Sequence, residues 1–297
     1  VVEGRRREIN KKLASMCNKY SIAMAVGSQK ASLKDRSERK TFEVVRKYNE
    51  DGLLFANIGA ECSLEYAKEA VKMISADALQ LHLNHIQELV MPEGDRNFVN
   101  RLHNISKIVE KIGVPVIVKE VGFGISMETV ETLESIGVQY IDISGRGGTN
   151  FSKIENERNN HSYLELFNEW GISTPSSLIE ALSVAKQSSI ISSGGLTNGL
   201  DIVKSLALGA KICGLSYPVL KALNENGVEG LDTFIQSLQK QITFIMTALG
   251  TPTIDDLNNT DIVITGETNH WLSKREIDTS IYSVRSKGKR SFPTYHV

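Results

Sequence analysis

His82, Asn84, Gln87 and Glu88 stand in one short run, Leu81-His82-Leu83-Asn84-His85-Ile86-Gln87-Glu88, at the end of a strand-like segment. A carboxylate there, joined by phosphate oxygens and water, would supply the few hard oxygen ligands that Mg²⁺ takes from protein. The same run also reads as a solvated loop with one capping glutamate and an exposed His85. Lys119 lies inside the apolar run Val116-Ile117-Val118-Lys119-Glu120-Val121. A lysine buried there needs an electron-rich partner, either a flavin edge or a carboxylate such as Glu120. Ser144-Gly145-Arg146-Gly147-Gly148-Thr149-Asn150 and Ser192-Ser193-Gly194-Gly195 bring small residues, a cation and polar donors to two further strand ends. With Gly214-Leu215-Ser216 beside them, such loops suit a phosphate held by backbone N–H groups and the start of a helix at Asn198. Taken alone, each is equally a tight turn, with Arg146 in a structural ion pair.

These residues must be positioned by a repeating scaffold. Seven apolar runs predict parallel strands buried on both faces: Ala23–Ser28, Leu53–Gly59, Ala78–Asn84, Val116–Gly122, Tyr140–Gly145, Ile190–Gly195 and Ile212–Tyr217. Amphipathic segments between them predict helices over Leu64–Ile74, Ile105–Ile112, Met127–Ile136, Ser176–Ala185, Asn198–Leu208 and Leu231–Leu249. The alternation fits a doubly wound sheet or a (β/α)8 TIM barrel. Polar residues or glycine at the C-terminal end of every run favour the barrel, which places its site there. Seven strands do not close eight, and Glu8–Tyr20 reads as a helix, so the first strand is expected to be missing. The barrel domain is expected over 1–285, with 286–297 a basic irregular tail.

The chain has 297 residues, 41% hydrophobic and 23% charged, enough for one sizeable core. A formal net charge of −1 gives no field to gather nucleic acid, so an anionic ligand must be held by local donors. Cys17, Cys62 and Cys213 are odd in number and far apart, which predicts buried thiols and a cytoplasmic setting. No apolar run approaches the ~20 residues of a membrane span, and no membrane partner is expected.

As a set, the residues resemble the type 2 isopentenyl diphosphate isomerase family from about Ile9 to Ser283. The likeness rests on Ala25-Val26-Gly27-Ser28-Gln29, Ala56-Asn57-Ile58-Gly59, Asn84 with Gln87 through Arg96, and Val118-Lys119-Glu120-Val121-Gly122-Phe123-Gly124. It extends through Gly145-Arg146-Gly147-Gly148-Thr149-Asn150-Phe151, Trp170-Gly171-Ile172-Ser173-Thr174 and Met246-Thr247-Ala248-Leu249-Gly250. The resemblance implies that Ser28, Asn57, Lys119, Ser144, Thr149, Gly194, Gly195 and Ser216 hold FMN. It further implies that Gln87 binds substrate, that Glu88 helps hold Mg²⁺, and that His82 and Asn84 face the substrate, making His82, Asn84 and Gln87 the catalytic set. It implies interconversion of isopentenyl diphosphate and dimethylallyl diphosphate in isoprenoid biosynthesis. Proton transfer would be through reduced FMN, with NADPH or NADH needed only as reductant, in a homo-oligomer such as a tetramer or octamer.

Two features depart from the family. Its Arg-Lys diphosphate segment and the first barrel strand with a Thr-Gly-Gly turn precede the point where this sequence begins. Where relatives often carry arginine after the late Gly-Gly, this chain reads Leu196-Thr197. An FMN-dependent 2-hydroxy acid oxidase would place a basic histidine before Gly147-Gly148, where Arg146 stands. A nucleotide dehydrogenase would need a nucleophilic cysteine, and only Cys62 comes near the mouth. An inactive truncated barrel is the remaining alternative.

Overall fold

The computed structural model describes residues 2–159 and 162–286; of the expected basic tail, 287–297 lie outside the described residues. All seven predicted strands form: β1 Met24–Ala25, β2 Leu54–Gly59, β3 Ala78–His82, β4 Val116–Lys119, β5 Tyr140–Asp142, β6 Ser189–Ser192 and β7 Ile212–Cys213. They pair in parallel and in chain order, so that β1 and β7 are the two edges of the sheet. That is the expected barrel with one strand lacking.

The helices are α1 Val2–Tyr20, α2 Lys30–Lys34, α3 Lys40–Tyr48, α4 Leu64–Ile74, α5 His85–Val90, α6 Arg101–Lys111, α7 Met127–Ser135, α8 Phe151–Asn159, α9 Thr174–Val184, α10 Gly199–Leu208, α11 Tyr217–Leu249, α12 Gly266–Lys274 and α13 Ser280–Ser283. Local sequence explains the ends of several. Ser63 caps α4 by accepting from Tyr66 N, Ser126 caps α7 at Thr129 N, and Asn198 caps α10 at Leu200 N and Asp201 N. Helix α11 is broken at Asn226 and Gly227, whose backbone leaves helical geometry, so it begins well before the predicted Leu231.

The main core lies between the outer faces of the strands and the helices, where Leu54, Ile58, Leu79, Leu81, Val118 and Ile141 are fully buried. A second, small cluster of Ala78, Ile117 and Ile191, with Phe55 and Tyr140, fills the barrel interior. Because side chains alternate along a strand, the residue two beyond Ile117 also faces inward. That residue is Lys119.

The segment after Leu249 belongs to the body rather than to a tail. Leu257 and Leu272 are fully buried, and the Glu180 carboxylate under α9 accepts from Trp271 Nε1 at 2.5 Å, Arg275 Nη2 at 3.3 Å and Met127 N at 3.1 Å. Ser286 likewise donates through its N at 2.8 Å and its Oγ at 2.6 Å to Asp261. Cys62 is buried and Cys17 and Cys213 half-buried. Burial pushes the first two thiols up to about 11 and Cys213 to about 12.

Candidate active site at the C-terminal mouth of the barrel

The strand register sets the inward-facing polar residues in one row. Gly59 pairs with His82, His82 with Lys119, and Lys119 with Asp142, across β2 to β5. His82 Nδ1 lies 2.8 Å from Asn57 Oδ1, while Asn57 Nδ2 donates to Val26 O at 3.0 Å. Since the amide nitrogen is committed to Val26, Asn57 presents its oxygen to the ring, and Nδ1 must carry the proton. Burial, with the Lys119 ammonium nearby, pushes the imidazole down to about 4, so it is neutral near pH 7 with Nε2 free to accept.

Gln29, which the sequence marked only as the end of a motif, holds this arrangement from beneath. It is fully buried, its N donates to Asn57 O at 2.8 Å, and its Oε1 accepts from Asn57 N at 3.0 Å. An uninterrupted pair of bonds thus locks the tip of β1 to β2.

Lys119 donates from Nζ to the main-chain oxygen of Glu120 at 2.6 Å, not to its carboxylate. The Glu120 side chain points to the opposite face, where Oε2 accepts from Val121 N at 2.9 Å and Phe123 N at 3.3 Å, and burial pushes it up to about 8. Lys119 therefore makes no ion pair with Glu120, and the carboxylate nearest it in register is Asp142. Asp142 is buried below, accepting from Ser193 Oγ at 2.6 Å and Ser144 N at 3.2 Å; burial lifts its carboxyl above the ordinary range despite Lys119 and the Ser193 bond.

Asn84, Gln87 and Glu88 sit on or just before α5, a short helix rather than a loop. Glu88 is buried; Oε1 accepts from Asn84 Nδ2 and Oε2 from Asp95 N, both at 2.8 Å. Arg96 fastens the return of this loop by donating to the carbonyls of Glu88, Gly94, Asp95 and Met91. Asn84 Oδ1 is a buried oxygen with no partner among the described residues. Gln87 Nε2 reaches Glu155 Oε1 at 3.5 Å, which adds a buried carboxylate that the sequence reading did not select. His85, expected to be exposed, is half-buried with its ring edge-on to Phe98 at 4.7 Å.

On the far side of the mouth, the loops after β5 and β6 meet backbone to backbone. Thr174 Oγ1 donates to Gly194 O at 2.6 Å, and Gly145 N donates to Ser193 O at 3.1 Å. A Cβ on Gly194 would come within 2.6 Å of Gly145 N, and one on Gly195 within 2.5 Å of Gly147 O, while both glycines have positive φ. Only glycine permits this approach. The start of α10, expected to seat a phosphate, is occupied by its own cap, and Gly199 N is bonded to Gln241 Oε1 at 2.7 Å. Helix α11, the next along the chain, starts without a side-chain cap at Ser216. Arg146, read as a phosphate-type cation, pairs outward with Glu169 at 3.1 Å, and Leu196 is buried. Ser28, Thr149 and Ser216 are exposed at the tips around the mouth, and Ser144 is buried. The predicted residues thus gather at one end of the barrel in two groups, a histidine–amide–carboxylate side and a glycine-lined side, with Lys119 between them.

The FMN-dependent dehydrogenase family pattern matches residues 5–264. Isopentenyl-diphosphate delta-isomerase of Geobacillus sp. (strain WCH70) is 51% identical over 278 residues, covering 94% of this chain and 79% of that protein. The protein of the same name from Bacillus pumilus (strain SAFR-032) is 50% identical over 283 residues, with coverage of 95% and 79%. Among solved structures, a putative lactate oxidase of Pediococcus acidilactici aligns with a TM-score of 0.65 at 18% identity, covering 86% of this chain and 71% of that one. A mandelate oxidase aligns at 0.59 and 14% identity, covering 84% and 71%. The oxidases share the fold. No described helix is long and apolar enough to cross a membrane.

Proposed function

This chain belongs to the FMN-dependent dehydrogenase family, in its type 2 isopentenyl-diphosphate delta-isomerase branch, and from that premise we propose that it interconverts isopentenyl and dimethylallyl diphosphate by proton transfer at the barrel mouth. The single observation that supports the chemistry best is the row His82–Lys119–Asp142 beside a cradle of two glycine loops that pack too closely on each other to admit a Cβ. The cradle and an inward ammonium bonded to one main-chain oxygen fit a phosphorylated, electron-rich ring such as FMN. Bound and reduced, FMN would supply an acidic proton for the substrate double bond.

The chain's own residues do the rest. Gly194, Gly195, Ser216, Thr149 and Ser144 would hold the cofactor phosphate and ribityl chain, with Ser28 and Asn57 at the other edge. Lys119 would place positive charge beside the ring. His82, neutral and with Nε2 unprotonated, would turn an acceptor rather than a donor toward the mouth, open to a water or to a donor of the bound cofactor. Gln87 and Asn84 would orient the substrate, and the Glu88 carboxylate with the unpartnered Asn84 Oδ1 beside it suits Mg²⁺ whose remaining ligands come from diphosphate and water. NADPH or NADH would serve only to reduce the flavin. The oxidase reading is disfavoured, since Arg146 occupies the basic histidine's place and turns outward to Glu169.

The test is an absorption spectrum of the chain with FMN, then an anaerobic assay with reduced FMN, Mg²⁺ and isopentenyl diphosphate. Bound flavin and dimethylallyl diphosphate are expected. Consumption of a 2-hydroxy acid without isomerisation would overturn the proposal.

A further inference from the structure

Arg101 is the first residue of α6, and its side chain is 5% exposed. Its Nε, Nη1 and Nη2 are all buried, and none has a hydrogen-bond partner among the described residues. A buried guanidinium without an acceptor is strongly unfavourable, so its persistence calls for an anion. The acidic groups in electrostatic range do not supply one. Burial pushes the Glu120 carboxyl up to about 8, with Oε2 turned to Val121 N and Phe123 N, and the exposed Asp95 carboxylate accepts from Asn97 N.

The surroundings specify the kind of anion. Asn100 makes no side-chain cap, and although Arg101 N donates to Phe98 O at 3.2 Å, the positive end of α6 lies beside the guanidinium. Asn104 fixes α6 beside the loop after β2 by donating to Ala60 O at 2.7 Å and Cys62 O at 2.6 Å. The guanidinium lies 4.4 Å from the centre of the Phe98 ring, and that ring meets His85 at 4.7 Å, on the side of the mouth that carries His82 and Glu88. We propose that Arg101 and the start of α6 form a binding site for a phosphoryl group, reached by displacement of the Phe98 ring. A forked guanidinium beside the positive end of a helix matches phosphate oxygens better than a carboxylate of this chain. Where the ligand is the distal phosphoryl of the diphosphate substrate, the inference rests on the isomerase reading; a free phosphate would use the same chemistry.

The experiment is calorimetric titration of the FMN-loaded chain with inorganic pyrophosphate plus Mg²⁺, and separately with orthophosphate, for the native chain and Arg101→Met. Loss of the charged fork at unchanged volume is expected to weaken binding about 10–100-fold, while flavin retention stays unchanged and the anion-free melting temperature is equal or higher. Weaker pyrophosphate binding together with a raised KM for isopentenyl diphosphate assigns the site to substrate; weaker orthophosphate binding at unchanged KM assigns it to free phosphate. Unchanged titration of both anions overturns the proposal. If Arg101→Met does not fold, Arg101→Lys takes its place, because lysine keeps charge but not the fork, and unchanged affinity there overturns it equally. Anion binding needs no turnover, so its failure is distinct from failure to isomerise.

Discussion

Asn57 Oδ1 and His82 Nδ1 stand 2.8 Å apart across β2 and β3, and this one bond sets which nitrogen of the imidazole faces the barrel mouth. Asn57→Asp would put a carboxylate in the same place, favouring the imidazolium and raising the His82 pKa by roughly 1–3 units from its present value of about 4. The acid limb of kcat/KM should then move to higher pH. A limb that does not move would exclude neutral His82 as the required form.

Lys119 is expected to stabilise charge on reduced flavin. Replacing it with methionine removes a charge-assisted contact, and the two-electron potential of bound FMN should fall by about 30–60 mV. Potentiometric titration of the loaded chain reads this directly, independent of turnover.

Gly194→Ala should abolish or greatly weaken FMN retention, because the new Cβ would press on Gly145 and φ at 194 is +94°. Strain alone costs on the order of 1–3 kcal/mol. Gly113→Ala is the control, since φ there is +80° but no atom lies within 4 Å of the added carbon. Equal flavin loss in both would mean that the cradle has no special part.

Glu120 makes stability fall as pH rises. Its folded-state pKa is raised to about 8 from an ordinary 4.5, so between those values the native state holds a proton that the unfolded chain has released. The slope is negative and approaches ~1.4 kcal/mol per pH unit within that window. Glu120→Gln should flatten it, as urea melts at pH 5 and pH 8 would show.

Glu180 is buried with Trp271, Arg275 and Met127 bonded to it. Glu180→Ala leaves Trp271 Nε1 and Met127 N without their acceptor, while Arg275 keeps Glu128, and should cost about 1–3 kcal/mol. Limited proteolysis should then cut ahead of α12, while a native digestion pattern would show that the C-terminal segment docks by its apolar contacts alone.

The sequence by itself determined the alternation of strands and helices and favoured the barrel. Apolar runs such as Val116-Ile117-Val118 read as strands buried on both faces, and polar residues or glycine at every strand end favoured a barrel over a doubly wound sheet. It also located every strand end at which His82, Lys119, Ser144, Gly194 and Ser216 stand, because chemistry in such a fold concentrates there.

What it could not determine is direction and partnership. Whether Lys119 turned to Glu120 or into the barrel depended on the phase of β4 against the Ala78–Ile117–Ile191 cluster, which is a packing fact. The phosphate-type loop pointed to the start of α10, but Asn198 and Gln241 consume those donors, and Gln241 comes from a helix 42 residues away. Gln29 closed a motif without a role assigned to it and Glu155 stood in none; their meaning comes from Asn57 and Gln87, brought beside them by the fold. Arg101 precedes the predicted helix Ile105–Ile112 and stood in no motif. Only tertiary structure buried it and left it without a counter-ion, because burial is decided by what covers a residue and not by its type.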